Sequence, residues 1–80
     1  MKTEIFTKPT CPRCINAKRL LMNNGVEYDE YQLGVDGISK ETIEAKIGDG
    51  TVVKTVPQIF LNGTYIGGYQ ELLEFYKNKR

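Results

Sequence analysis

Two cysteines three positions apart are the side chains of this chain best suited to covalent chemistry. Cys11 and Cys14 enclose Pro12 and Arg13, and they are the only two cysteines among 80 residues. A disulfide that closes so short a loop would constrain the unfolded chain little, so a structural role explains the pair poorly. Two thiols at this spacing can instead exchange with a disulfide in another molecule. The pair therefore predicts thiol–disulfide exchange.

A strand-to-helix junction is predicted around Cys11. Residues 2–7 form a short run that is apolar at its centre, which is typical of a buried strand. A helical pattern then runs from Pro12 to Asn24, and Gly25 suits its C-terminal end. The predicted inner face of this helix holds Cys14, Ala17 and Leu21, with Ile15 and Met22 alongside.

This junction assigns different roles to the two sulfur atoms. Cys11 is expected at the helix N-terminus, where unpaired N–H groups and the positive end of the helix dipole favour a thiolate. Lys8 and Arg13 add positive charge nearby. We therefore expect Cys11 to attack a substrate disulfide and Cys14 to displace the substrate from the mixed disulfide that results.

The rest of the chain completes a small α/β pattern. A strand is predicted over residues 27–33, although its apolar phase shifts midway, and a second helix is predicted after the cap Ser39. Asn62-Gly63 between two apolar runs indicates a type I′ hairpin with antiparallel strands. After Gly67-Gly68, a last helix is predicted to about residue 78. Its inner face is expected to hold Leu72, Phe75 and Tyr76.

The element order is strand, helix, strand, helix, strand, strand, helix. It begins with a βαβ unit, whose strands are parallel, and ends with a hairpin, whose strands are antiparallel. We therefore predict an α/β fold with a mixed four-stranded sheet flanked by helices. This is the architecture of a minimal thioredoxin fold, formed here by one domain over residues 1–80.

Composition and charge argue against several classes of function. Eleven basic and ten acidic residues leave a net charge of +1, which gives no indication of nucleic-acid binding. The basic groups are expected to be solvated surface; they are Lys18-Arg19 and the C-terminal Lys77, Lys79 and Arg80. No apolar run approaches the roughly 18 residues of a membrane span, and no signal peptide is apparent, so a cytoplasmic monomer is expected. With no histidine, the two cysteines would need a second chain to complete a zinc site, and no metal is predicted.

Two further segments have the composition of a binding site. In Thr55-Val56-Pro57, the residues alone are compatible with an ordinary trans proline at the start of a strand. Gly67-Gly68 could be a flexible turn, or it could let a ligand approach the backbone at a helix N-terminus that favours carboxylates. The residues themselves leave both alternatives open.

Three motifs together resemble those of the dithiol glutaredoxins, in that family's order and at about its spacing. They are the segments 8–14 (KPTCPRC), 55–60 (TVPQIF) and 67–69 (GGY). The segment 38–41 (ISKE) and the Asn-Gly hairpin also resemble the short bacterial and phage members that supply electrons to ribonucleotide reductase. The resemblance covers essentially the whole chain.

The resemblance implies a cis Pro57 beside the cysteines and a binding site for glutathione. It implies that the backbone of Val56, next to Thr55, pairs with glutathione, and that Lys8 faces its glycyl carboxylate. The γ-glutamyl carboxylate would lie near Gly68, Tyr69 and Gln70. Glutathione would be a co-substrate and no cofactor would be tightly bound. Two glutathiones would reduce the oxidised protein, and glutathione reductase with NADPH would complete the cycle.

Two positions depart from the family pattern, and three other functions stay open. Arg13 stands where the family commonly has an aromatic residue, and Gln70-Glu71 replaces a stretch that usually includes aspartate. The chain could take electrons from thioredoxin reductase instead. It could also hold an iron–sulfur cluster between two chains with glutathione, although Pro12 resembles the redox-active type. The third alternative is a structural subunit on the same fold.

Overall fold

The computed structural model describes residues 2–78, which form three helices and four strands in the predicted order. The strands are β1 (Glu4–Thr7), β2 (Asp29–Gln32), β3 (Gln58–Leu61) and β4 (Thr64–Gly67). The helices are α1 (Pro12–Asn23), α2 (Lys40–Ile47) and α3 (Tyr69–Asn78). Lys79 and Arg80, expected in a basic surface cluster, lie outside the described residues, as does Met1.

The four strands form one mixed sheet in the order β2-β1-β3-β4. β1 is parallel to β2 and antiparallel to β3, and β3 is antiparallel to β4, which confirms the predicted α/β architecture. The β3–β4 turn places Asn62 at φ 50° and Gly63 at φ 84°. Positive φ at both central positions is what a type I′ hairpin requires, so the Asn-Gly prediction is confirmed.

Each face of the sheet carries its own apolar cluster, because successive strand residues point to opposite sides. Ile5 and Ile59 face α1 and α3, whereas Phe6 and Phe60 face α2. The first cluster also contains Ala17, Leu21, Leu61 and Leu72, and the second also contains Ile43 and Val53. Every residue of β3 is buried, since helices cover this strand from both sides.

The apolar stripes of the helices are narrower than their sequences suggest. Cys14, Ala17 and Leu21 of α1 are buried as predicted, but Ile15 is 50% exposed and Met22 is 65% exposed. On α3, Leu72 is fully buried. The inward placement predicted for Phe75 is wrong: the residue is 38% exposed, and its ring lies edge-on against Tyr76, with 5.2 Å between ring centroids. The sheet buries only those helix residues that point directly at it.

Replacement of Leu72 by alanine is expected to destabilise the fold strongly. The Leu72 side chain is fully buried between α3 and the sheet, so its removal leaves a cavity. We expect the free energy of unfolding to fall by about 2–5 kcal/mol, measured by urea denaturation of the reduced protein. The neighbouring Leu73→Ala serves as the control because Leu73 is only partly buried. Equal losses in the two variants would contradict the packing described here.

Candidate active site

The end of β1 and the start of α1 place Cys11 at a helix N-terminus. After Thr7 the chain turns through residues 8–10, and Cys11 becomes the N-cap of α1 with Pro12 in the first turn. The backbone N–H of Cys14 donates to Cys11 Sγ at 3.2 Å. This donor places the partial positive charge of a backbone N–H against the Cys11 sulfur atom. Cys11 is partly exposed, and both cysteines are free thiols.

Cys14 lies in a different environment from Cys11. It is 2% exposed on the inner face of α1. Burial, together with the hydrogen bond to Cys11, raises the pKa of the Cys14 thiol to about 12, while the backbone N–H of Lys8 and the charge of Lys18 act in the opposite direction. Cys14 therefore keeps its proton at neutral pH. The two cysteines therefore differ in access, because Cys11 is partly exposed and Cys14 is buried.

The segment 55–57 meets the cysteines although about 45 positions separate them in the chain. The Val56–Pro57 peptide bond is cis, as the resemblance implied, and Pro57 is buried. The Cys11 thiol points at the Val56 carbonyl oxygen, with 3.9 Å between sulfur and oxygen. Two of the three motifs thus share one site.

A pair of side chains outside the predicted site residues holds the segment 55–57 in place. The Gln58 amide donates to the Thr55 carbonyl oxygen at 2.8 Å, and the Tyr65 hydroxyl donates to Gln58 Oε1. Burial, with the negative charges of Glu71 and Asp49, raises the pKa of Tyr65, so its hydroxyl keeps the proton that it donates. Gln58 itself is buried. This chain of hydrogen bonds fixes the backbone next to Cys11.

Gly67 and Gly68 let two parts of the backbone approach each other closely. Gly67 has φ +114°, and a Cβ added there would lie 2.9 Å from Glu71 Cγ. A Cβ at Gly68 would lie 3.1 Å from the Pro57 carbonyl oxygen. The Gly68 N–H donates to Glu71 Oε1 at 2.8 Å, so Glu71 caps the N-terminus of α3. The close packing of this turn therefore favours glycine at both positions. The glycine pair is not there for flexibility alone.

A cleft of about 850 Å³ lies between the segment 55–57, β4 and the N-terminal ends of α1 and α3. Seven predicted site residues line it: Arg13, Thr55, Val56, Pro57, Gly68, Tyr69 and Gln70. Lys8 is exposed but is not among the lining residues, and neither are Pro12 and the two cysteines. Four further residues that were not predicted as site residues also line the cleft: Asn16, Gln58, Tyr65 and Ile66. Of these, Asn16 could have been found, because it lies three positions after Arg13 on the same helix face.

Two further structural findings concern the described residues 2–78. None of their helices is both long enough and apolar enough to cross a membrane. Nor do three or more His, Cys, Asp or Glu side chains in this range gather into a group that could hold a metal ion.

Comparison with known proteins identifies the family. Residues 3–66 match the family model described as Glutaredoxin. The chain belongs to the glutaredoxin family. A probable glutaredoxin of Synechocystis is 44% identical over 71 residues, which cover 89% of this chain and 62% of that relative's length. Family membership supports thiol–disulfide oxidoreductase activity for this glutaredoxin.

Solved structures of other glutaredoxins share the fold. The structure of reduced Escherichia coli glutaredoxin superposes with a TM-score of 0.78 at 37% identity, and covers 99% of this chain and 96% of that one. A buckwheat glutaredoxin–glutathione complex superposes with a TM-score of 0.74 at 28% identity, covering 95% of this chain and 68% of that one. These neighbours confirm the predicted thioredoxin-type fold.

Alkylation is expected to distinguish the two thiols of this glutaredoxin. In the reduced, folded protein at a pH below about 9, iodoacetamide should modify Cys11 and leave Cys14 largely unmodified, because Cys14 is buried and protonated. Trypsin cleaves after Arg13, so the two cysteines fall in separate peptides whose modification mass spectrometry can quantify. The same protein in denaturant should be modified at both. Comparable modification of the two thiols in the folded protein would contradict the asymmetry.

Proposed function

We propose that this glutaredoxin is a glutathione-dependent thiol–disulfide oxidoreductase that acts through Cys11 and Cys14. The observation that carries the proposal is the difference between the two sulfur atoms. Cys11 Sγ is partly exposed and accepts a backbone N–H at the start of α1, whereas Cys14 is buried one turn further along. A reactive thiol at the surface and a protected thiol beside it are what a two-step exchange needs.

The exchange proceeds in two steps. The Cys11 thiolate attacks one sulfur of a substrate disulfide, forms a mixed disulfide and releases the first substrate thiolate, which takes up a proton. Cys14 then gives up its proton and attacks Cys11 Sγ, which releases the second substrate thiol and leaves a Cys11–Cys14 disulfide. Two electrons pass from the protein to the substrate. Two glutathiones would return the protein to its dithiol form and become glutathione disulfide.

The cleft beside Cys11 is the proposed binding site for glutathione. Val56 lines this cleft and its carbonyl oxygen faces Cys11, and Arg13, which also lines the cleft, supplies positive charge for an anionic ligand. We propose that Thr55 and Val56 contact the peptide part of glutathione and that Lys8 attracts its glycyl carboxylate. The buckwheat glutaredoxin, which has the same fold, forms a complex with glutathione.

The Glu71 carboxylate restricts where the γ-glutamyl carboxylate of glutathione can bind. Its own carboxylate already accepts the Gly68 N–H, so the N-terminus of α3 carries a fixed negative charge there. We propose that the γ-glutamyl carboxylate uses the N–H groups of Tyr69 and Gln70 next to Gly68, because the first N–H groups of a helix have no partner within the helix.

The proposed electron source and protein substrate follow from the family. Glutathione reductase and NADPH would regenerate glutathione, and ribonucleotide reductase is a proposed protein substrate because the chain resembles members that serve it. Protein disulfides require both cysteines in this scheme. Mixed disulfides with glutathione need only the first, because a second glutathione can replace Cys14.

Serine variants of the two cysteines test the proposed function. With glutathione, glutathione reductase and NADPH, we expect Cys11→Ser to lose activity on both substrate classes, because it lacks the attacking thiol. Cys14→Ser should keep activity on a glutathione mixed disulfide and lose most activity on a protein disulfide. NADPH consumption measures both reactions.

Replacing the reductase provides the control for this experiment. Thioredoxin reductase supplied without glutathione should give only background consumption of NADPH. Turnover with thioredoxin reductase alone, and none with glutathione, would show that the electron source proposed here is wrong. Equal losses on both substrate classes in Cys14→Ser would contradict the division of roles between the thiols.

Replacement of Tyr65 by phenylalanine is expected to weaken glutathione binding without changing the chemistry. The variant leaves Gln58 Oε1 without the Tyr65 donor and loosens the segment that begins at Thr55. We expect KM for glutathione to rise about two- to fivefold with kcat nearly unchanged, in line with the loss of one hydrogen bond. Tyr28→Phe is the matched control, because Tyr28 lines a surface hollow at the opposite end of β1. A fall in kcat with unchanged KM would contradict this account.

A further inference from the structure

A charged pair joins α1 to the edge strand β2 on the cysteine side of the sheet. Lys18 Nζ lies 3.0 Å from Glu30 Oε2, and the Thr7 hydroxyl donates to the same oxygen at 2.8 Å. Thr7 is fully buried in β1, and the Lys18 side chain is only 26% exposed. Although partial burial acts to raise the pKa of Glu30, the hydrogen bonds from Thr7 and Lys18 lower it, so Glu30 is a carboxylate at neutral pH. The ammonium group of Lys18 is therefore held in place.

The Lys18–Glu30 pair lies close to the buried thiol. Lys18 is one helical turn after Cys14, so the two side chains are neighbours on the same side of α1. From β1, Thr7 anchors Glu30, and the next residue, Lys8, directs its backbone N–H at Cys14 Sγ. The groups that act on the Cys14 thiol are Cys11 and Lys18 from α1 and the Lys8 N–H from the turn. Glu30 from β2 is linked to it through Lys18.

A thiolate at Cys14 needs a nearby positive charge more than a thiolate at Cys11 does. Cys14 lies in the first turn of α1, but its side chain is buried away from water, where an isolated charge is costly. Yet the second step of the exchange requires Cys14 to lose its proton before it attacks Cys11 Sγ. A fixed positive charge next to the sulfur lowers the energy of the thiolate as it forms.

We propose that Lys18, held by Glu30 and Thr7, stabilises the Cys14 thiolate and accelerates the second step of the exchange. Glu30 and Thr7 are positioning residues, since they act through Lys18. In the step, Cys14 loses its proton, a sulfur–sulfur bond forms between Cys14 and Cys11, and the bond from Cys11 to the substrate sulfur breaks. The departing substrate thiolate takes up a proton, so atoms, charge and electrons balance without a further reagent. This inference rests on the dithiol reaction proposed above.

Lys18→Met tests the proposal in a reaction that separates the two steps. The reduced protein is mixed with an aromatic disulfide whose thiolate is coloured, in stopped flow. A first, concentration-dependent release of colour reports attack by Cys11, and a second, unimolecular release reports displacement by Cys14. We expect Lys18→Met to slow the second release roughly three- to tenfold and to leave the first unchanged. The size reflects a large loss of thiolate partly offset by the higher nucleophilicity of a more basic sulfur.

Matched variants identify the charge of Lys18 as the cause. Arg19→Met removes the same charge from the adjacent, exposed position of α1 and should leave both releases unchanged. Lys18→Arg restores a cation that can reach Glu30 and should recover most of the second rate. In Cys14→Ser, the second release should be absent, and Lys18→Met should then have no further effect.

Four results would overturn the inference. They are an unchanged second release in Lys18→Met, equal slowing of both releases, equal slowing by Arg19→Met, and failure of Lys18→Arg to recover the rate. If the wild-type protein itself shows no second release, the dithiol function fails, and this inference fails with it. A wild-type protein that shows both releases, with no effect of Lys18→Met, overturns only the role of Lys18.

Discussion

The antiparallel pairing of β1 with β3 is the constraint on which the site depends. Because Phe6 pairs with Gln58, the C-terminal end of β1 and the N-terminal end of β3 lie at the same end of the sheet. Cys11 follows one strand and Pro57 precedes the other, so the register of two short strands sets the 3.9 Å approach of the Cys11 thiol to the Val56 carbonyl. The helices act on this frame: α1 gives Cys11 its N–H donor, and α3 brings Gly68 against Pro57.

The two thiols differ because one helical turn separates the N-cap of α1 from a residue on the buried face of the same helix. At the N-cap, Cys11 Sγ accepts the Cys14 N–H, and the residue is partly exposed. Inside, Cys14 packs against the sheet face and keeps its proton. A short spacing in the sequence is thus converted into a large difference in environment. Lys18, held by Glu30, is a cation one helical turn after the buried Cys14.

The sequence predicts features that depend on local patterns and misses those that depend on distant partners. Element order, the Asn-Gly hairpin and the helix N-terminus at Cys11 follow from short-range rules. Gln58 and Tyr65 are joined by a side-chain hydrogen bond between β3 and β4, and Phe75 follows the helical period but is 38% exposed. The shift of apolar phase in residues 27–33 is explained by Glu30, whose partner Lys18 is 12 positions away.

The two-sided packing of β1 has a consequence for changes in chain length. Ile5 belongs to one apolar cluster and Phe6 to the other, so successive residues of this strand point alternately to the two packed faces of the sheet. A single inserted residue within β1 would reverse this alternation for every residue on one side of the insertion. Those residues would then point to the opposite face of the sheet, and the segment that leads to Cys11 would change direction. Two inserted residues would restore the faces but lengthen the strand. Exposed positions between α2 and β3, such as Asp49 and Val52, lie outside the strands and need no alternation of faces. Natural and engineered variation in length should therefore concentrate there.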